Sequence, residues 1–206
     1  MSGAFPISSA KFKTLGIKSI QNTIISKSVS GKKLARQIDN QRFGFTIRIV
    51  TGTRSDVYGE LMAFIMKQRS SKENFTIIPP EIEDARGNET NTVLVNGVHA
   101  VGDTTIAMDG HHNDNPHAFK AGDFIKFASH SKVYMIVADV QASSGASTVT
   151  IEPPLVSTVA NDSIVTYDNV PFTVYLTNDM QEFGVVGTTN DGALIYSFEM
   201  DVEEAL

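Results

Sequence analysis

Cysteine is absent from this 206-residue sequence. That removes a disulfide scaffold, a Cys-ligated zinc site, an iron–sulfur cluster and a thiol nucleophile from consideration. Tryptophan is absent as well, and proline is sparse at seven residues. No apolar run approaches the roughly 18 residues of a spanning helix, so no membrane segment is expected. The opening MSGAFPISSAKFK lacks the apolar core of a signal peptide, so the chain is expected to remain in the compartment where it is made. With 41% hydrophobic and 19% charged residues, the composition is that of a globular chain and not a disordered one.

Basic residues are scarce after position 72. Residues 1–72 carry 13 of the 17 Lys and Arg against three acids (Asp39, Asp56 and Glu60), a net of about +10. Residues 73–206 carry four basic residues against 20 acids, about −16. Such a split marks either a nucleic-acid surface or two regions that meet, within one chain or across a head-to-tail subunit boundary. The basic residues are scattered through strand-like stretches without interleaved aromatics, which favours the meeting of regions. Arg42, Arg48 and Arg54 are the leading candidates for a subunit contact.

Residues 14–27 are rich in Ile and Thr and read as extended structure. Residues 28–40 are polar with a single glycine and read as a loop or long hairpin connection. Over 43–50, Phe43, Phe45, Ile47 and Ile49 alternate with Gly44, Thr46, Arg48 and Val50, a strand with one buried face. A helix is expected over 54–68. Thr53 stands three residues before Asp56, as in a capping box. Val57, Leu61, Phe64 and Ile65 then form an apolar stripe, and Lys67 and Arg69 sit where the helix dipole favours cations.

A strand at 75–78 stops at Pro79-Pro80, and an acidic polar stretch over 81–91 marks a boundary. Short strands follow at 92–95, 104–108, 123–127, 133–138, 147–151 and 163–166. Turn signals such as Asn96-Gly97, Asp109-Gly110 and Ser144-Gly145 separate them, the spacing of a small barrel. Long alternating strands return at 172–177 and 194–203. The last lacks a local partner, and 43–50 matches it best in length and pattern. The fold class expected is therefore mainly β with one helix. Residues 1–82 and 169–206 form a discontinuous domain, interrupted by a small OB-like β-barrel over 83–168.

Catalytic patterns are weak. Three His and two Asp between Asp109 and His117 resemble a ligand cluster, but His111 and His112 are adjacent and the spacing fits neither a zinc site nor a calcium loop. A solvated polar loop is expected there. His99 and His130 are isolated. The S-x-x-K strings at 8–11 and 129–132 lack a helix start to support a nucleophile. Gly31-Lys32-Lys33 is not a phosphate loop, and the N-x-S/T strings at Asn74, Asn88 and Asn161 carry little without a secretion signal. The basic residues Lys27, Lys32, Lys33, Arg36, Arg42 and Arg48 could bind phosphate backbones, but a solvated or subunit-facing loop is the favoured reading. A nucleic-acid- or carbohydrate-binding barrel, and more remotely a hydrolase with an unrecognised site, remain alternatives.

Several ordered stretches together resemble tail and baseplate proteins of tailed bacteriophages. They are Ser28-Val29-Ser30-Gly31 through Gln41-Arg42-Phe43-Gly44-Phe45-Thr46, Ala63-Phe64-Ile65-Met66-Lys67-Gln68-Arg69 running into Phe75-Thr76-Ile77-Ile78-Pro79-Pro80, Ala121-Gly122-Asp123-Phe124-Ile125-Lys126-Phe127 with Lys132-Val133-Tyr134, and Thr150-Ile151-Glu152-Pro153-Pro154-Leu155. The nearest type is the distal tail protein. The resemblance implies a tail-tube-like β-sandwich or barrel domain that builds a ring, with the extra barrel facing outward. It implies a non-enzymatic virion protein, assembled in the host cytoplasm as a homo-oligomer, hexameric in such rings. The implied partners are further copies of itself, the tail tube protein, and tail tip or baseplate hub proteins. No cofactor, metal, membrane or specific nucleic-acid recognition is implied.

Overall fold

The computed structural model describes residues 3–8 and 11–206. The strands are β1 (Phe12–Ile20), β2 (Thr23–Lys27), β3 (Lys33–Gln37), β4 (Arg42–Thr53), β5 (Phe75–Ile77), β6 (Leu94–Val95), β7 (Thr105–Asp109), β8 (Phe124–Phe127), β9 (Val133–Ile136), β10 (Ala146–Glu152), β11 (Val165–Thr166), β12 (Phe172–Leu176), β13 (Phe183–Thr188) and β14 (Leu194–Glu204). One α-helix, α1 (Gly59–Gln68), lies among the described residues. The chain is mainly β with one helix, as its alternation predicts.

The first six-stranded sheet runs β1-β4-β14-β12-β5, with β13 also paired to β14. Its centre is the antiparallel pair β4–β14, in which Phe45 faces Val202, Ile47 faces Met200 and Ile49 faces Phe198. These side chains are buried, because period-2 alternation places every apolar residue of both strands on one face. The long-range pairing expected for the last strand is therefore present. Helix α1 turns Leu61 and Ile65 into the same core, joined by Val57 and Tyr58 from the turn before it.

The helix begins differently from its sequence pattern. Residues Arg54–Tyr58 form a π-helical turn, and the Thr53 side chain makes no capping hydrogen bond. The helix ends where Arg69 adopts a left-handed conformation, φ 53°. The extended stretch at 14–27 is split between β1 and β2. The polar stretch after it contains β3, which pairs with β2 in a hairpin that, among the described residues, joins no other strand. Strand β13, whose Gly184 and Gly187 dilute its alternation, is an addition to the expected set.

The second sheet runs β11-β8-β9-β10-β7-β6 and is nearly closed. The Val95 N–H donates to Ser163 O at 3.0 Å and the Val165 N–H to Val93 O at 3.0 Å, so the first strand meets the last. Closure removes most free edges and encloses a core of Val95, Ile106, Phe119, Phe127, Tyr134 and Ile151. The chain leaves the first sheet after β5 and returns just before β12. The two crossings are clamped together. Val170 N–H donates to Glu83 O at 2.9 Å, and Ala85 N–H donates to Tyr167 O at 2.9 Å.

Candidate subunit-contact surface and the buried polar clusters

The three arginines singled out by charge sit at different places on the first sheet. Arg42 lies at the start of β4, between Asp39 at 3.0 Å and Glu203 at 2.7 Å. Arg48 points from the same strand to Glu199 on β14, its cross-strand neighbour, and both side chains are largely exposed. Arg54 is exposed on the π-helical turn. Basic and acidic regions of the chain thus meet within one copy at β4–β14. Lys18 adds a third such contact, 2.6 Å from Asp201. Exposed pairs of this kind contribute about 0–1 kcal/mol each.

The junction between sheet and barrel is built differently. Lys132 and Glu204 form an ion pair with side chains 1% and 0% exposed. Glu204 continues the inward register of Phe198, Met200 and Val202, so β14 carries a carboxylate into the core. Three donors compensate its burial: Lys132 Nζ, the Val133 N–H at 2.8 Å and the Phe43 N–H at 3.1 Å. The Lys132 ammonium also lies 4.8 Å from the centroid of the Phe43 ring. Burial pulls its pKa down, against the raising influence of Glu204. Around this pair Phe43 and Phe172 of the sheet meet Phe124 of the barrel edge-on, at centroid distances of 5.2–5.5 Å.

The histidine-rich segment is only partly the solvated loop expected of it. His112 and His117 are exposed, but His111 is 5% exposed and Asn115 6%. His111 Nδ1 lies 3.0 Å from Glu89 Oε2, and its Nε2 lies 2.7 Å from Ser147 Oγ. Glu89 also accepts the N–H groups of Thr90, Asn91 and His112. Burial alone raises the Glu89 pKa, but those hydrogen bonds outweigh it and hold the carboxyl below its ordinary value. Glu89 is a buried acceptor, and His111 is the side chain that turns inward to meet it.

Serine, histidine and carboxylate in that order also compose a nucleophile-activating relay. Here Glu89 is saturated by loop amides, and Ser147 is the second residue of strand β10, not the tip of a nucleophile turn. The arrangement is that of a structural latch between residues 89–91, residues 111–115 and β10. Of the other histidines, His130 Nε2 lies 2.7 Å from the Tyr134 hydroxyl oxygen, and His99 Nε2 accepts the Ala107 N–H at 3.1 Å. The S-x-x-K string at 129–132 ends in the paired Lys132. Ser9 and Ala10 of the other string lie outside the described residues. Among the described residues no group of three or more His, Asp or Glu is arranged to hold a metal ion, and no helix is long and apolar enough to cross a membrane.

Residues 82–170 match the family model described as "Distal tail protein pb9, B domain". The chain resembles a phage distal tail protein. No curated protein gives a significant match. The matched span coincides with the barrel and its two clamped crossings, so the distal-tail resemblance rests on the part of the molecule that interrupts the first sheet. It supports a structural role in a phage tail, and hence a place in the virion. Lys132, Glu204, Glu89 and His111 were not legible as partners in the sequence. For Glu204 a signal existed: it falls two residues after Val202, on the apolar face.

Proposed function

We propose that this protein is a non-enzymatic ring component at the distal end of a phage tail, or in its baseplate hub, joining the tail tube to the tip. The observation that carries the reading is the match of residues 82–170 to a distal-tail B domain. On this reading residues 1–82 and 169–206 are the ring-forming domain, and residues 83–168 are an inserted domain. Six copies close the ring, each meeting its neighbours and, above and below, tube and tip or hub proteins. Assembly takes place in the host cytoplasm. The edge strands β1 and β13 supply free backbone groups for subunit pairing. Arg42, Arg48 and Arg54 help set register across the boundary.

A binding barrel is less favoured. All five aromatic residues of 83–168 (Phe119, Phe124, Phe127, Tyr134 and Tyr167) are buried, so none offers a face on which a base or sugar ring stacks. The test is sizing by light scattering with electron microscopy of the purified protein. Rings of uniform diameter are expected. A monomer at every concentration and salt, with no ring on virions, overturns the reading.

A further inference from the structure

Two exposed hairpins of opposite charge stand out once the sheets are assigned. The first is β2–β3. All ten of its strand residues are exposed, and among the described residues it pairs with no other strand. Isolated two-stranded hairpins are marginal in water, and this one also displays Ile24, Ile25 and Leu34, each more than half exposed, with Val29 at its tip. Between residues 22 and 38 it carries Lys27, Lys32, Lys33 and Arg36 and no acid.

The second is β13 with the first half of β14. Among the described residues strand β13 pairs only with β14, so no described strand lies on its outer edge, and Val185 and Val186 on it are 53% and 58% exposed. Met180 and Leu194 flank them, 81% and 44% exposed. The charges here are Asp179, Glu182 and Asp191, and no Lys or Arg occurs after Lys132. An apolar edge strand with no charge along it invites pairing unless something covers it.

We propose that the β2–β3 hairpin of one copy is an arm that covers the β13–β14 hairpin of the next copy. Apolar residues meet apolar residues, and Lys27, Lys32, Lys33 and Arg36 face Glu182 and Asp191. The contact joins two different surfaces of the same chain, so it is head-to-tail and closes into a ring when the rotation allows. The inference rests on the ring reading and names the surfaces that make the ring.

The cysteine-free background provides the test. Ile25→Cys and Val186→Cys single variants are mixed and oxidised, so that any disulfide joining the two positions is between copies. In parallel, Lys27, Lys32, Lys33 and Arg36 are all changed to Glu, with and without Glu182→Lys and Asp191→Lys, and assembly is followed by light scattering. Disulfide dimers from the mixture are expected, with loss of assembly in the arm-reversed protein and its return when the acids are reversed too. An arm-reversed protein that assembles like the parent overturns the inference and leaves the ring reading standing, as does loss of assembly that the acid reversals do not restore. A parent that is monomeric throughout overturns both.

Discussion

The Glu204 carboxylate on β14 and the Lys132 ammonium at the start of β9 are paired where neither side chain reaches water. They join the two sheets through charge, while Phe43, Phe124 and Phe172 join them through aromatic packing. Removing one partner of a buried pair strands the other charge, at a cost of about 3–5 kcal/mol. Lys132→Met and Glu204→Gln should each lower stability in chemical denaturation by about that much. The double variant should lose clearly less than the sum of the two, because no charge is left buried. Strict additivity would mean that the pair is not coupled.

Phe124 packs edge-on against both Phe43 and Phe172. Phe124→Ala should cost about 3–5 kcal/mol, as large-to-small core changes of this size do. Hydrogen exchange should then rise on both sides of the junction, in β4 and β12 as well as in β8. Exchange confined to the barrel would show that the sheets do not share this packing.

Gly87 has no room for a side chain. An added Cβ would stand 2.0 Å from the carbonyl oxygen of Ala118, a backbone atom that cannot swing aside. Gly87→Ala should therefore destabilise the barrel by about 1–3 kcal/mol or more. A thermal unfolding midpoint equal to the parent's would contradict this packing.

His111 and Glu89 make the histidine-rich segment structural. Glu89→Ala leaves the Thr90, Asn91 and His112 amides and the His111 ring without their acceptor. It should cost about 1–3 kcal/mol at neutral pH. Deleting residues 111–117 should be more damaging than an ordinary loop deletion. Fluorophosphonate labelling is expected to leave Ser147 unmodified, in keeping with a latch; stoichiometric labelling would assign it a nucleophile's role.

Acid should weaken the fold in two stages. Burial, with Lys126 and Lys132 nearby, lowers the His130 pKa. Below about pH 6.5 the unfolded chain takes up this proton before the folded one does, so stability falls as pH drops. Glu89, whose folded pKa is depressed, contributes stability that is present above about pH 4.3 and lost as pH falls through its folded value. Unfolding midpoints measured from pH 8 to pH 3 should show both declines. His130→Gln should flatten the first and Glu89→Gln the second.

Much of the architecture was legible because alternation is a local signal. Phe43 to Ile49 and Phe198 to Val202 each display one apolar face, and two such faces require a common core. The helix stripe of Val57, Leu61 and Ile65 was equally plain. What escaped were features whose cause lies elsewhere in the chain. Thr53 matches a capping pattern, but the turn it precedes is wound by a Gly59 N–H to Arg54 O bond that no propensity encodes. His111 looks solvated beside polar neighbours until Glu89 is brought beneath it. Lys132 and Glu204 are 72 positions apart in the chain, and each alone reads as an ordinary surface charge. Strand β13 was hidden by its glycines, and β3 by its charges. Arg42 and Arg48 stood out through charge counting, which finds excess but not which acid each cation meets.

The separation of β4 from β14 has a consequence during synthesis. The barrel strands β6 to β11 are contiguous in the chain and can close as soon as they emerge from the ribosome. Strand β4 is made long before them, yet its register with β14 runs from Thr53–Ile195 to Gly44–Glu203. It cannot acquire that neighbour until nearly all of the chain has been translated. Phe45, Ile47 and Ile49 must wait through that interval with one flank unpaired. In the nascent protein, then, the inserted barrel is the element able to mature first, and the sheet that flanks it in sequence is the last to form.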